Sequence, residues 1–258
     1  MNPWLKSCRP NPAARVRLFC FPYAGGGASI YRTWPNEFPD EFHVCPMQLP
    51  GRESRMEEPA YTDVHTLAAA LADGLEPYLD IPFAFFGHSM GALTAFELTR
   101  ALRRSSSRLP IHLFLSAHRA PHIPLKKPPI HDAPNDRFMQ ELRRFQGTPE
   151  EVLNNAELME ILLPTLRADF ALHETYVYSP EESLSLPLTV FGGTDDTDVR
   201  REELEEWRAH STAPMNLKMF TGNHFFLHHF QREIIAVIVE TLGIRKCVDS
   251  RSTACKTK

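Results

Sequence analysis

Short apolar segments alternate along the chain with longer segments in which apolar residues recur at helical spacing. The short segments have the character of strands and lie at residues 15–21, 42–47, 83–86, 111–116, 186–191 and 216–220. Helical periodicity is found at residues 62–79, 92–104, 201–210 and 230–242. Strands that alternate with helices in this way predict an α/β fold, with a mostly parallel sheet that is flanked by helices on both faces.

The interval between residues 117 and 182 interrupts this alternation. It contains no convincing strand, and after a proline-rich start it shows helical patches at residues 136–145, 150–153, 157–163 and 166–178. An insertion of this length is too long for a plain connection between two core strands, which favours a helical lid over the site. The alternative is a pair of structural helices on the sheet edge. We expect residues 1–245 to form one domain and the polar residues 246–258 to be a disordered tail.

Composition and charge narrow the class of protein. The 258 residues are 43% hydrophobic and 23% charged, which is ordinary for one globular domain. A net charge of −4 without a basic cluster argues against nucleic acid as a partner. No membrane span or signal peptide is evident, so we expect a cytoplasmic monomer without a membrane partner. The five cysteines show no metal-ligand spacing, which predicts reduced thiols and no metal site.

The strongest chemical signal is the sequence Gly-His-Ser-Met-Gly at residues 87–91, which lies between a predicted strand and a predicted helix. In the α/β-hydrolase fold a G-x-S-x-G turn at this place is the nucleophile elbow. Its glycines permit a tight, strained turn that presents the serine hydroxyl above the sheet edge. We therefore take Ser89 as the candidate nucleophile, against the alternative of an ordinary turn with a surface serine.

A serine nucleophile needs a base, and the base needs an acid that fixes its tautomer. In this fold the acid follows a late strand and the base follows the last one. His224 lies directly after the last predicted strand, and His228 is its only serious rival. Asp196 is the preferred acid because its turn best matches one that returns the chain to a helix. Asp195 is the near alternative, and Asp198 comes third.

Backbone N–H groups are expected to stabilise the oxyanion of an acyl-transfer reaction. One should belong to Met90, the residue after the nucleophile, and the other to a loop after an early strand. The glycine-rich loop at residues 21–28 has this position, and we expect Ala24 to supply the second N–H. A phosphate-binding function for the loop is disfavoured, because it has neither the P-loop residues nor G-x-G-x-x-G spacing.

Together these segments resemble the type II thioesterases of nonribosomal peptide and polyketide synthesis, which are related to the vertebrate medium-chain thioesterase of fatty acid synthase. The matching segments are residues 21–25, 49–55, 58–59, 86–91, 119–121, 166–170, 191–193 and 222–226. The resemblance implies a serine hydrolase that removes stalled or mis-primed acyl groups from the phosphopantetheine arm of acyl or peptidyl carrier proteins. It places the triad on Ser89, Asp196 and His224 and implies no cofactor.

The chain departs from the pattern of these thioesterases at two places. Asn223 stands where they usually have glycine, and asparagine is the best substitute if that position needs a left-handed backbone. Ala117 and His118 replace a more usual Gly-Arg pair, which would change the pocket wall or the hinge of the insertion. Arg52 or Arg55 either orients a loop over the site or pairs with a nearby glutamate, Glu57 or Glu58. We favour a structural role for these two arginines.

Two further predictions concern the substrate. Aromatic residues of the insertion suggest an apolar acyl channel, and basic residues near it are candidate contacts for an acidic carrier protein. The aromatic residues are Phe138, Phe145, Phe170, Tyr176 and Tyr178. The basic residues are Lys126, Lys127, Arg143 and Arg144. Three other functions use the same fold: a carboxylesterase or lipase, an acyltransferase or cyclase, and an inactive scaffold.

Overall fold

The computed structural model describes residues 2–5, 8, 10–105 and 108–243. Within them the strands are β1 (Val16–Phe21), β2 (Phe42–Pro46), β3 (Phe83–His88), β4 (His112–Ser116), β5 (Leu188–Gly193) and β6 (Met215–Phe220). They form one sheet in the order β2-β1-β3-β4-β5-β6, and every neighbouring pair is parallel. Each predicted strand is present, with its ends displaced by two residues or fewer. The predicted tail, residues 246–258, lies outside the described residues.

The helices are α1 (Trp34–Glu37), α2 (Val64–Leu75), α3 (Met90–Ser105), α4 (Asn135–Phe145), α5 (Glu150–Leu153), α6 (Ala156–Glu174), α7 (Arg201–Glu205) and α8 (Gln231–Thr241). Asp63 precedes α2 as its N-cap residue, and its carboxylate accepts the Thr66 N–H at 2.7 Å. In the described part of the chain no helix combines the length and the apolar composition that crossing a membrane requires.

The strands are buried on both faces, as expected for a parallel sheet that helices cover on both sides. On one face Phe19 and Phe85 belong to a core shared with α2 and α3. On the other face Leu18 and Phe86 belong to a second core, to which α1 and α8 contribute. Only the edge strand β6 alternates between exposed and half-buried residues along most of its length. The two cores hold the carboxyl ends of the strands in a fixed arrangement.

The insertion between β4 and β5 contains α4, α5 and α6 and has an apolar core of its own. The prediction of separate helical patches at residues 157–163 and 166–178 is wrong, because α6 is one helix that continues through Pro164 and ends at Glu174. A proline inside a helix removes one backbone hydrogen bond. Burial of Leu166 and Phe170 just beyond the proline supplies contacts that keep the helix continuous.

The strand order reverses direction between β1 and β3, and this reversal determines where a site can form. The connection after β1 leads to β2 at one edge, whereas the connection after β3 leads to β4 on the other side. Loops that leave neighbouring strands in opposite directions open a crevice at their carboxyl ends. The loop at residues 21–28 and the turn at residues 87–91 therefore lie side by side.

Candidate active site

Ser89 lies in a turn that only glycine neighbours permit. Its φ angle is +53°, a left-handed conformation that is costly for a non-glycine residue. A Cβ atom on Gly87 would lie 2.1 Å from the backbone oxygen of Gly91, and one on Gly91 would lie 2.2 Å from that of Phe21. The Ser89 N–H donates to the Ser116 carbonyl on β4 at 2.7 Å, which helps to fix the strained turn.

Ser89, His224 and Asp196 form a continuous hydrogen-bonded relay, although they come from three different strand ends. His224 Nε2 lies 3.0 Å from Ser89 Oγ, and His224 Nδ1 lies 2.7 Å from Asp196 Oδ2. Because a carboxylate only accepts hydrogen bonds, Nδ1 carries the proton and the lone pair of Nε2 faces the serine hydroxyl. The relay is therefore in the tautomer that can take a proton from Ser89.

Of the three aspartates after β5, only Asp196 reaches His224. Its second oxygen, Oδ1, accepts the N–H groups of Asp198 and Val199 at 2.8 and 3.1 Å, so the turn itself orients the carboxylate. Asp195 is exposed, and its side chain contacts the hydroxyl of the preceding threonine. Asp198 pairs instead with Lys127 at 2.7 Å.

His88, which the sequence analysis did not single out, supports the relay from behind. Its Nε2 lies 2.9 Å from the backbone oxygen of His224, and its Nδ1 lies 2.8 Å from Ser116 Oγ. Burial, reinforced by the nearby His224, holds the pKa of His88 well below its usual value. A neutral His88 donates from Nε2 to the His224 carbonyl and accepts the Ser116 hydroxyl at Nδ1. Its place beside Ser89 in the Gly-His-Ser-Met-Gly turn was the available signal.

The loop after β6 places its other polar residues elsewhere. His228 Nε2 lies 3.1 Å from the Tyr23 hydroxyl, so this rival of His224 does not face Ser89. The position of Asn223 does not need a left-handed backbone; the residue with positive φ is Gly222, at +120°. Asn223 instead accepts the Phe225 N–H at 3.0 Å and donates to Gln146 at 3.1 Å, which links this loop to the insertion.

The two residues whose amides are predicted to bind the oxyanion, Met90 and Ala24, both line the pocket beside Ser89. Met90 is the first residue of α3, where backbone N–H groups have no partner within the helix. Ala24 follows β1, and no hydrogen-bond acceptor for its N–H is found among the described residues. The next amide, that of Gly25, donates to Asp169 Oδ2 on α6 at 2.7 Å. The insertion therefore contacts the oxyanion loop directly.

Arg52 and Arg55 have different partners. Arg52 forms a two-pronged ion pair with Asp169, in which both N···O distances are 2.7 Å and the side chains are only 6% and 2% exposed. It also donates to the Gly26 carbonyl at 3.1 Å. Arg55 pairs with Glu58, one of the glutamates considered for it. Arg52 thus joins the oxyanion loop to α6 through Asp169, a residue that the sequence analysis did not consider as its partner.

A pocket of about 480 Å³ opens beside Ser89 and His224. Phe145, Phe170 and Leu166 of the insertion line it, so the insertion forms part of its wall. Ala117 and His118 also line the pocket, so their replacement of the usual Gly-Arg pair affects the pocket wall. Ala117 has a φ angle of +52°, the conformation that the more usual glycine would adopt without strain.

Three of the predicted channel aromatics do not line the pocket, and the four predicted docking cations already form ion pairs. Phe138 is fully buried within the core of the insertion, and Tyr176 donates to Glu97 at 2.7 Å, so neither is a pocket residue. Tyr178 also lies outside the pocket lining, against His210. The predicted docking cations already have acidic partners within the chain. The pairs are Lys126–Glu203, Lys127–Asp198, Arg144–Asp198 and Arg143–Glu150.

Comparison with known proteins identifies the family. Residues 16–242 match the thioesterase domain family. The chain belongs to this family. The gramicidin S biosynthesis protein GrsT of Aneurinibacillus migulanus is 46% identical over 244 residues, which cover 95% of each chain. The medium-chain S-acyl fatty acid synthase thioesterase of Homo sapiens is 34% identical over 226 residues, covering 84% of this chain and 83% of that protein.

A solved structure agrees with the sequence relatives. The type II thioesterase BorB from the borrelidin biosynthetic cluster is 35% identical and has a TM-score of 0.83, over 91% of this chain and 95% of BorB. These matches confirm the α/β-hydrolase fold and the resemblance to type II thioesterases. The thioesterase described here is therefore an enzyme that hydrolyses acyl thioesters.

Proposed function

We propose that this thioesterase releases acyl groups from the phosphopantetheine arm of acyl or peptidyl carrier proteins, and that it clears stalled or mis-primed chains in nonribosomal peptide or polyketide synthesis. The observation that carries the proposal is the Ser89–His224–Asp196 relay beside a pocket of about 480 Å³. The relatives support the pathway, since GrsT is named for gramicidin S biosynthesis and BorB comes from a borrelidin cluster.

The reaction proceeds in two steps at Ser89. His224 Nε2 takes the hydroxyl proton while Ser89 Oγ attacks the thioester carbonyl, and Asp196 stabilises the imidazolium that forms. The Met90 and Ala24 amides donate to the oxyanion. The pantetheine thiol leaves and takes a proton from His224. A water molecule then gives a proton to His224 and attacks the acyl-enzyme, which releases the free acid and restores Ser89.

The pocket fits an acyl group next to a polar arm. Its wall includes apolar side chains of the insertion, whereas lysine and arginine side chains, among them Arg119 and Arg137, also border it. Burial lowers the pKa of Arg119, and the Arg119 Nε donates to the Ile123 carbonyl at 2.9 Å. Docking of a carrier protein on Lys126, Lys127, Arg143 and Arg144 stays a prediction, since an incoming acidic surface would compete with their present partners.

Intact-mass spectrometry of an acetyl- or butyryl-loaded carrier protein tests the proposal. We expect the acyl mass to disappear with the wild type and to persist with Ser89→Ala and His224→Ala. His228→Ala is the matched control, because it removes a histidine of the same loop that does not face Ser89. We also expect hydrolysis to survive treatment with a chelator, since the relay requires no metal.

Three outcomes would contradict the proposal. Persistence of the acyl mass on several carriers, together with cleavage of a p-nitrophenyl ester, would indicate a general esterase. Transfer of the acyl group to an added amine in preference to water would indicate an acyltransferase. Failure of a fluorophosphonate to label Ser89 would indicate that the serine is not activated.

A further inference from the structure

A cluster of two cysteines and one histidine lies outside the catalytic pocket, at the edge strand β2. Cys8 Sγ lies 2.6 Å from Cys45 Sγ and 2.9 Å from His43 Nε2. His43 and Cys45 are two residues apart on β2, so their side chains share one face of the strand. Cys8 is partly exposed and Cys45 is buried. The cysteines are too far apart in sequence for any spacing motif to reveal them.

Arg17 fixes the tautomer of His43. Its Nε donates to His43 Nδ1 at 3.0 Å, and arginine has no acceptor. Nδ1 of a neutral His43 is therefore unprotonated, and Nε2 carries a hydrogen that points to Cys8 Sγ. Hydrogen bonding from Cys45, helped by His43 and the charge of Arg17, lowers the pKa of Cys8 to about 6. Burial raises the pKa of Cys45, so a Cys8 thiolate faces a Cys45 thiol.

This geometry does not suit a metal ion. Two thiolates on one tetrahedral zinc, with Zn–S bonds of about 2.3 Å, lie roughly 3.8 Å apart, whereas these sulfurs are 2.6 Å apart. A histidine that ligates a metal normally donates its other N–H to an acceptor. Here the second nitrogen of His43 faces the donor-only side chain of Arg17. The sulfur separation is instead between van der Waals contact and a disulfide bond, which is about 2.05 Å long.

We propose that Cys8 and Cys45 are a redox modification site that forms a reversible disulfide with hydrogen peroxide as the oxidant. The Cys8 thiolate attacks one peroxide oxygen, the O–O bond breaks, and the departing hydroxide takes a proton to become water. Cys45 then loses its proton and attacks the sulfur of the Cys8 sulfenic acid. The S–S bond forms, the S–O bond breaks, and the hydroxyl group leaves as a second water. Two thiols and one peroxide thus give one disulfide and two waters.

The disulfide would attach the N-terminal segment to the sheet. Trp4 and Leu5 of this segment are buried in the core, and Asn2 donates to the Gly74 carbonyl at 2.6 Å. The segment also contacts the loop that carries Arg55, whose guanidinium lies 4.4 Å from the Trp4 ring. A covalent link between Cys8 and Cys45 restricts the unfolded chain and should raise the melting temperature by roughly 5–10 °C.

The test oxidises the native wild-type protein with graded hydrogen peroxide, removes the peroxide with catalase, and alkylates the remaining thiols in denaturant. We expect a tryptic link between residues 7–15 and 33–52 that dithiothreitol reverses. The link should be absent in Cys8→Ser and should persist in Cys20→Ala, a matched control for a cysteine on the neighbouring strand β1. Oxidation should also raise the melting temperature of the wild type and leave that of Cys8→Ser unchanged.

Several results would overturn the proposal. One is oxidation of Cys8 to the sulfinic acid while Cys45 is still alkylated, because Cys45 then does not reach Cys8. Another is a link from Cys8 to Cys247 or Cys255 instead of Cys45. A third is one equivalent of zinc in the protein as purified, released by a thiol reagent in the wild type and absent from Cys8→Ser. That result would assign the cluster to a metal.

Discussion

The buried pair of Arg52 and Asp169 tests whether the insertion holds the oxyanion loop in place. Replacement of Asp169 by leucine leaves the Arg52 guanidinium buried without its carboxylate and the Gly25 N–H without its acceptor. Removal of one partner from a buried ion pair costs about 3–5 kcal/mol. For a chain of this size we therefore expect the melting temperature to fall by roughly 10 °C.

The same substitution should lower kcat more than it raises KM. Gly25 is next to Ala24, whose amide faces the developing oxyanion in the proposed reaction, and such a contact strengthens only in the transition state. Loss of a whole oxyanion donor costs about 10²–10³ in kcat. A displaced donor should cost less, so we expect a decrease of roughly 10–100-fold. The assay is steady-state hydrolysis of an acyl thioester at a temperature at which circular dichroism shows the variant folded.

A double variant separates positioning from stability. Arg52→Met with Asp169→Leu removes both charges, and replacement of a buried pair by apolar residues is often nearly neutral for stability. We expect this double variant to regain most of the melting temperature while kcat stays low, because the Gly25 N–H still has no acceptor. Glu58 forms a more exposed ion pair with Arg55, which lies on the loop that also carries Arg52. Glu58→Gln should therefore leave kcat unchanged. A double variant with wild-type kcat would refute the positioning role.

Three further predictions concern stability and the support of the relay. Gly91→Ala places a methyl group 2.2 Å from the Phe21 backbone oxygen, so we expect a sharply lower urea midpoint or little soluble protein. His88→Leu leaves the His224 carbonyl without its hydrogen-bond donor. We expect the free energy of unfolding to fall by about 1–3 kcal/mol and kcat to decrease, and His88→Gln should partly restore both. Burial lowers the pKa of His112 to about 4. The unfolded chain therefore binds this proton first, near pH 6.5, and stability falls as the pH drops below that value. The loss from this group is roughly 1 kcal/mol at pH 5.5, and urea titrations of His112→Gln should show a correspondingly smaller decrease between pH 7 and 5.5.

Local sequence patterns were sufficient to predict the framework of this enzyme, because each reports an interaction between residues that are close along the chain. Alternation of strand-like and helical segments located β1 to β6. The glycines at positions 87 and 91 marked a turn whose close backbone contacts exclude any side chain. The order of motifs along the chain then brought Asp196 and His224 into consideration. In the structure His224 lies within hydrogen-bond distance of both Asp196 and Ser89.

Local sequence patterns could not predict contacts between residues that are distant in sequence. Most features that are specific to this chain depend on such contacts. Arg52 meets Asp169 across 117 positions, and although both lie in segments that match the thioesterases, nothing in either segment indicates that the two residues contact each other. Cys8 and Cys45 meet only because the N-terminal segment lies against β2. The prediction from periodicity also divided α6 at Pro164, because a sequence pattern does not show that burial against other segments offsets one lost hydrogen bond. Such contacts depend on which surfaces the fold brings together, so they become visible only when the sheet order and the insertion are both known.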